Sequence, residues 1–228
     1  MFRVLYFGQH MWYDEAKRKP EQGGDNMGLS TPKEKDQLFS NMLRAALGWL
    51  QNRSPEQIAI NGNIVFENGS FCFQSLGEHV TVSYPGYDIA PRLDQWHILT
   101  ILHYLSGADG TPLSGEMIAF SQHKDGLARG MGFDRNVEEI VSQRVQATKE
   151  DEIKEQCLSL GAKIIPSNAD LCAEFRFMPN YPVWLKIWFE DDEFPASGRM
   201  FLDASAQHYL SIEDAVTVGT LILNRLFA

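Results

Sequence analysis

Apolar residues recur along this chain in two periods, and the switches between them mark its elements. Leu38, Phe39, Met42, Leu43, Ala46, Leu47 and Leu50 fall at three- and four-residue spacing, the buried face of a helix. Thr31-Pro32-Lys33-Glu34 starts that helix, with a threonine cap, a proline suited to the first turn and a glutamate completing a capping box. Ser54-Pro55-Glu56-Gln57 repeats the signature and predicts a further helical turn. Ile64-Val65-Phe66 and Phe71-Cys72-Phe73 then flank Asn68-Gly69, whose two residues tolerate positive φ. A two-residue hairpin there sets Phe66 opposite Phe71 and Val65 opposite Cys72. Val80, Val82 and Tyr84 alternate with polar residues as a third strand. From Arg92 to Leu105 the pattern is apolar around most of a helix, which predicts a central one. Asp134 is placed to cap a helix carrying Val137, Ile140, Val141 and Val145, and Thr148 to cap another ending at Gly161.

The last third returns to period two. Leu171, Ala173, Phe175 and Phe177 share one face, as do Val183, Leu185, Ile187 and Phe189. A hairpin centred on Asn180 predicts Phe177 opposite Val183, Phe175 opposite Leu185, Arg176 opposite Trp184 and Glu174 opposite Lys186. Arg199 to Asp203 reads as a third strand, and Ser211 caps a closing helix along Ile212, Val216, Gly219, Ile222, Leu223 and Leu226. Strands cluster in two antiparallel meanders with helices between and around them, so the fold class is α+β, two antiparallel β-meanders packed with several α-helices. Residues 1–31 are read as an N-terminal strand and flexible arm, and residues 32–228 as a single α+β domain.

Composition narrows the function classes. Thirty acidic against 20 basic side chains in 228 residues give a net charge of −10, unlike the basic face of a nucleic-acid binder. No apolar run reaches the ~20 residues of a membrane span, and the start has too short an apolar core for a signal peptide. A soluble, cytoplasmic protein with neither nucleic-acid nor membrane partner is expected. Cys72, Cys157 and Cys172 lie far apart with no C-x-x-C, and those in strands read as buried, inert thiols.

Charge is concentrated near the end. Residues 186–214 hold seven carboxylates and two bases, half of the formal excess. Within them Asp191, Glu193, Asp203 and His208 are the candidate site. Two carboxylates and an imidazole would suit Zn²⁺, Fe²⁺ or Mn²⁺, or would serve as an acid/base pair. The plainer reading is a solvated acidic turn, with Asp203 bonding local amides and Glu213 and Asp214 favoured by a helix dipole. Trp184, Lys186 and Trp188 share a strand face and would stack on a planar ligand or be covered by a helix. His97 and His103 lie on different sides of one helix and cannot chelate together. His123 sits in the polar loop Ser121–Gly126, and Gly126–Gly132, faintly like a phosphate loop, lacks its lysine and preceding strand.

Trp188-Phe189-Glu190-Asp191-Asp192-Glu193-Phe194-Pro195-Ala196-Ser197, then Leu202-Asp203, Ala206, His208-Tyr209-Leu210 and Glu213-Asp214, carry a resemblance. With Pro112–Glu116, Ile118 and Phe120 they resemble an uncharacterised prokaryotic domain family met mostly in anaerobes. The likeness runs from about residue 40 to the end. It implies an association with corrinoid methyl-transfer systems; the four-cysteine iron–sulfur segment fused to some relatives is absent here. Three function classes follow: an accessory module binding a metal, cofactor or small molecule in anaerobic metabolism; a metal- or carboxylate/His-dependent hydrolase or lyase; and an acidic module docking a protein partner.

Overall fold

The computed structural model describes residues 32–146 and 148–228, with side chains from residue 37 onward. The arm over residues 1–31, the Thr31 cap and the Glu34 side chain lie outside the described residues. Helices α1 (Pro32–Leu50) and α2 (Pro55–Gly62) precede a four-stranded antiparallel sheet, β1 (Val65–Glu67), β2 (Ser70–Ser75), β3 (Glu78–Ser83) and β4 (Ile89–Ala90), in sequential order. Next come α3 (Gln95–Gly107), β5 (Met117–Ile118), α4 (Gly126–Val145), α5 (Glu150–Ser159), β6 (Lys163–Ile164), β7 (Leu171–Met178), β8 (Tyr181–Trp188), β9 (Ser197–Asp203) and α6 (Ile212–Leu226). The second sheet is antiparallel in the order β5-β9-β8-β7-β6. The chain is therefore α+β with two antiparallel sheets.

Local chemistry explains much of this. Ser54 accepts the Gln57 amide at 3.2 Å and Ser211 the Asp214 amide at 3.2 Å, both as serine caps should. Asn68 and Gly69 take positive φ, and Phe66 faces Phe71 in the register expected of a two-residue turn. One face of the second sheet (Ala173, Phe175, Val183, Leu185, Ile187, Met200 and Leu202) is buried in the core with α3, α4 and α6. Each such large side chain contributes ~1.5–3 kcal/mol by leaving water.

Three expectations are corrected. Phe175, not Phe177, faces Val183; Glu174, not Arg176, is matched with Trp184, and Lys186 lies opposite Cys172. The turn holds only Pro179-Asn180, which moves the register by one residue, and an irregularity between Arg176 and Met178 moves it by one more, two in all. Because the shift is even, every side chain keeps its face. Helix α4 starts at Gly126, eight residues before Asp134, so the glycine-rich stretch is helix. Asp134 instead accepts the Phe120 and Ser121 amides at 3.2 and 3.0 Å, capping a 3-10 turn at Phe120–Gln122 across space. The Thr148 hydroxyl donates back to the Arg144 carbonyl, and α5 begins after Lys149 with no side-chain cap.

Polar groups tie the first sheet to the second and to α3 and α6. The Leu76 amide donates to the Arg176 carbonyl at 2.8 Å. The Arg225 guanidinium, which can only donate, gives a hydrogen bond to His97 Nδ1 at 2.8 Å. The His97 proton therefore sits on Nε2, which donates to Ser75 Oγ at 2.7 Å. Burial, with Arg225 adding to it, pushes the His97 pKa down to about 3, so this link is a neutral imidazole.

Candidate functional site

A groove forms where the end of α3, the loop His123–Asp125 and the segment Gln207–Ile212 meet. Gly107 allows the approach, since a Cβ there would stand 2.8 Å from the Tyr209 carbonyl oxygen. A smaller lobe of about 350 Å³ is lined by His123, Lys124, Asp125 and His208. A larger one of about 600 Å³ is lined by Met42, Trp49, Arg53, His103, Glu213 and Asp214. Both lobes share Gly107 and Tyr209–Ser211 as a common wall, and both volumes suit small molecules.

That wall is held firmly. Tyr209 stacks on Tyr104 with centroids 5.2 Å apart, accepts a hydrogen bond from Asn180 Nδ2 at 2.9 Å and donates its hydroxyl to the Thr111 carbonyl. Burial pushes the Tyr209 hydroxyl pKa up, so it remains a donor. The His123 loop is seated by α4, whose Gly130 lies so close to the 3-10 turn that a Cβ would stand 2.1 Å from the Phe120 carbonyl oxygen.

Three histidines border the groove, and each has its Nδ1 engaged by an acceptor. His103 donates to Asp214 Oδ1 at 2.7 Å, His208 to Asp109 Oδ2 at 2.8 Å, and His123 to the Lys124 carbonyl at 2.7 Å. In its neutral form, a ring that donates through Nδ1 carries its lone pair on Nε2. That arrangement suits accepting a hydrogen bond, binding a metal or removing a proton. His123 is 5% exposed, and its buried Nε2 has no hydrogen-bond partner among the described residues. An unsatisfied buried polar atom costs about 1–3 kcal/mol. Asp109 stays ionised: hydrogen bonds from Thr111, and then from His208, hold its pKa down to about 2.

Neighbouring carboxylates are also engaged. Glu213 pairs with Arg129 at 2.9 Å, and Asp214 Oδ2 accepts from Ser211 Oγ at 2.7 Å. Trp49, 61% exposed, sits at the rim, tilted 44° over the His103 ring with centroids 5.8 Å apart.

Of the four residues singled out by charge pattern, only His208 reaches this groove. Asp203 is 1% exposed and accepts from the amides of Ser114, Gly115 and Ser205 and from the Ser114 hydroxyl, at 2.8–2.9 Å. Burial raises its pKa, but hydrogen bonds from Ser205 and Ser114 outweigh this and leave it lowered. Asp203 therefore ties the 114–115 loop to the end of β9. Asp191 and Glu193 lie beyond the other end of β9, about 20 Å away at the rise of a seven-residue strand. There Asp191 Oδ1 accepts the Glu193 and Phe194 amides at 2.8 and 2.7 Å, an exposed local turn. Among the described residues, no three histidine, cysteine or carboxylate side chains are grouped so as to hold a metal ion.

Trp184, Lys186 and Trp188 line the outer face of the second sheet, away from the groove. Trp184 donates to Glu174 Oε2 at 3.1 Å, Lys186 to Asn168 Oδ1 at 2.9 Å, and Trp188 to the Asn168 carbonyl at 3.2 Å. The Lys186 ammonium also lies 5.5 Å from the Phe201 centroid. Cys157 and Cys172 are buried, and burial pushes the Cys157 thiol up to about 12. His103 and His123 were set aside in the sequence as a helix residue and a loop residue, and Asp109, Trp49 and Arg53 carried no signal there. They come from four separate stretches, and no spacing rule links them.

No described helix is long and apolar enough to cross a membrane. No curated protein and no solved structure matches the chain. A family model described as "Domain of unknown function (DUF3786)" matches residues 54–225. That span takes in both sheets, both lobes' histidines and all but the last residue of α6, and the chain belongs to this family.

Proposed function

We propose that this chain is a binding module for a small molecule, taken up in the two-lobed groove between α3, the His123 loop and α6. The observation that carries the reading is the groove itself, two lobes that share one wall and are bordered by three imidazoles bonded at Nδ1. His123 lines the smaller lobe, where its Nδ1 bond leaves Nε2 as the ring's acceptor. His208 borders the same lobe with the same polarity. An anaerobic setting and a cytoplasmic location are part of this proposal and rest on the sequence.

The test is NMR of the full chain labelled with ¹⁵N in histidine, titrated with a library of amino acids, organic acids, nucleotides and coenzymes. At least one compound should move the Nε2 resonances of His123 and of His103 or His208, leaving His79 on β3 unchanged. If no compound moves them, or His79 moves equally, the reading fails.

A second reading is favoured by the carboxylate–imidazole pairs. Asp109 and Asp214 orient His208 and His103 as general bases, the arrangement by which a carboxylate fixes the imidazole tautomer in proton-transfer enzymes. Under it, a bound compound is converted by the native chain. Asp109→Asn or Asp214→Asn then slows conversion at least 100-fold while binding persists.

A further inference from the structure

We propose that the larger lobe takes a planar aromatic ring carrying an anionic group, the ring lying against Trp49 and the anion on Arg53. The inference rests on the groove being a ligand site and specifies what its larger lobe accepts.

Trp49 supplies the first half. It lies in the last turn of α1 with 61% of its surface exposed, while Trp184 is buried and Trp96 and Trp188 are half-buried. Its rim position against His103 leaves the indole free to stack with a flat ring entering the lobe. Indole faces gain from offset stacking on other π-systems, and Met42, on the same lobe, adds an adaptable thioether surface.

Arg53 supplies the second half. Its amide donates to the Leu50 carbonyl at 3.1 Å, fixing the turn that carries it to the lobe. Its guanidinium has no hydrogen-bond or ion-pair partner among the described residues. The carboxylates of the lobe are taken: Glu213 by Arg129, Asp214 by His103 and Ser211. Among the described residues the lobe therefore offers a planar cationic fork with no protein partner, the group best matched to a carboxylate or phosphate. His103 Nε2, its proton committed to Asp214 on the other side of the ring, accepts an N–H or O–H from the edge of the bound ring. Stacking, a charge and an acceptor thus converge in a cleft of about 600 Å³.

The experiment is isothermal titration of the full chain with two planar anions, flavin mononucleotide and adenosine 5′-monophosphate. Riboflavin and adenosine serve as counterparts without the charge, and ribose 5-phosphate as the counterpart without the ring. At least one planar anion should bind tenfold or more tightly than both of its counterparts. Trp49→Ala should reduce that affinity about tenfold and leave ribose 5-phosphate unchanged, and Arg53→Gln should make the charged and uncharged ring compounds equal. Both side chains are exposed, so the variants keep the wild-type circular dichroism and Tm. If neither planar anion is preferred, or the preference survives in both variants, the inference is overturned. Should the histidine resonances still respond to some other compound, only the ligand class is wrong; if they respond to none, the ligand-binding reading falls with it.

Discussion

The two ends of β9 both carry clustered carboxylates, yet they do different things. Beyond one end, Glu190, Asp191, Asp192 and Glu193 form an exposed turn in which Asp191 accepts from its own neighbours' amides and the rest face water. Beyond the other, Asp203 anchors a loop, and Asp109 and Asp214 each hold an imidazole brought from a distant part of the chain. The first end has the higher charge density and the second has the chemistry. A carboxylate becomes useful when it fixes the proton of another group, and this depends on a partner being delivered to it.

Acid should test the interior that both ends are built on, with the largest effect. His97 is neutral when folded, with a pKa of about 3, against about 6.5 in an unfolded chain. Between these values the unfolded state binds the extra proton, so stability falls as the pH drops from about 6.5 toward 3. The whole contribution is about 5 kcal/mol. Urea unfolding across that range should show the loss, and it should be reduced in a His97→Gln variant.

At the groove end, Asp203→Ala removes the acceptor for three amides and a hydroxyl and should cost about 3 kcal/mol. The equivalent Asp191→Ala change should cost less than ~1 kcal/mol. Equal costs in denaturant titrations would erase the contrast between the two ends.

Gly107→Ala comes next, at about 1–3 kcal/mol, because its Cβ would meet the Tyr209 carbonyl and push the groove wall outward. Ligand binding should weaken more than the stability change alone accounts for.

The smallest stability effect is expected for Asp109→Ala, within ~1 kcal/mol, since its pair with His208 is half exposed. Binding in the smaller lobe should nevertheless fall, because His208 loses the group that sets its proton. A variant with unchanged binding would make the Asp109–His208 pair a surface contact like those of the acidic turn.

Local signals were legible wherever a residue acts on its sequence neighbours. The caps at Ser54 and Ser211 and the Asn68-Gly69 turn needed only spacing and φ preference, and they appear as expected. Asp134 misled because its acceptor strength is used across space, on the amides of Phe120 and Ser121, and not on the helix it seemed placed to start. The two-residue shift between β7 and β8 escaped because alternation fixes the parity of a register and leaves even slips degenerate.

The site was the least legible part. His208 was found because it lies beside the acidic stretch. His97 and His103, on one helix, were separated correctly, but nothing in their spacing shows that the first meets Ser75 and Arg225 while the second meets Asp214. His123 looked like a loop residue, because its burial comes from the fold around it.

Taken by itself, the sequence determined the class of the fold, the helix starts at Ser54 and Ser211, the faces of its strands and the turn at Asn68-Gly69, all set by interactions over a few residues. Tertiary structure alone decided which imidazole meets which carboxylate, and that Trp49 and Arg53 share a cleft with His103. Those pairings join residues up to 111 apart in the chain, and only packing of the core fixes such distances.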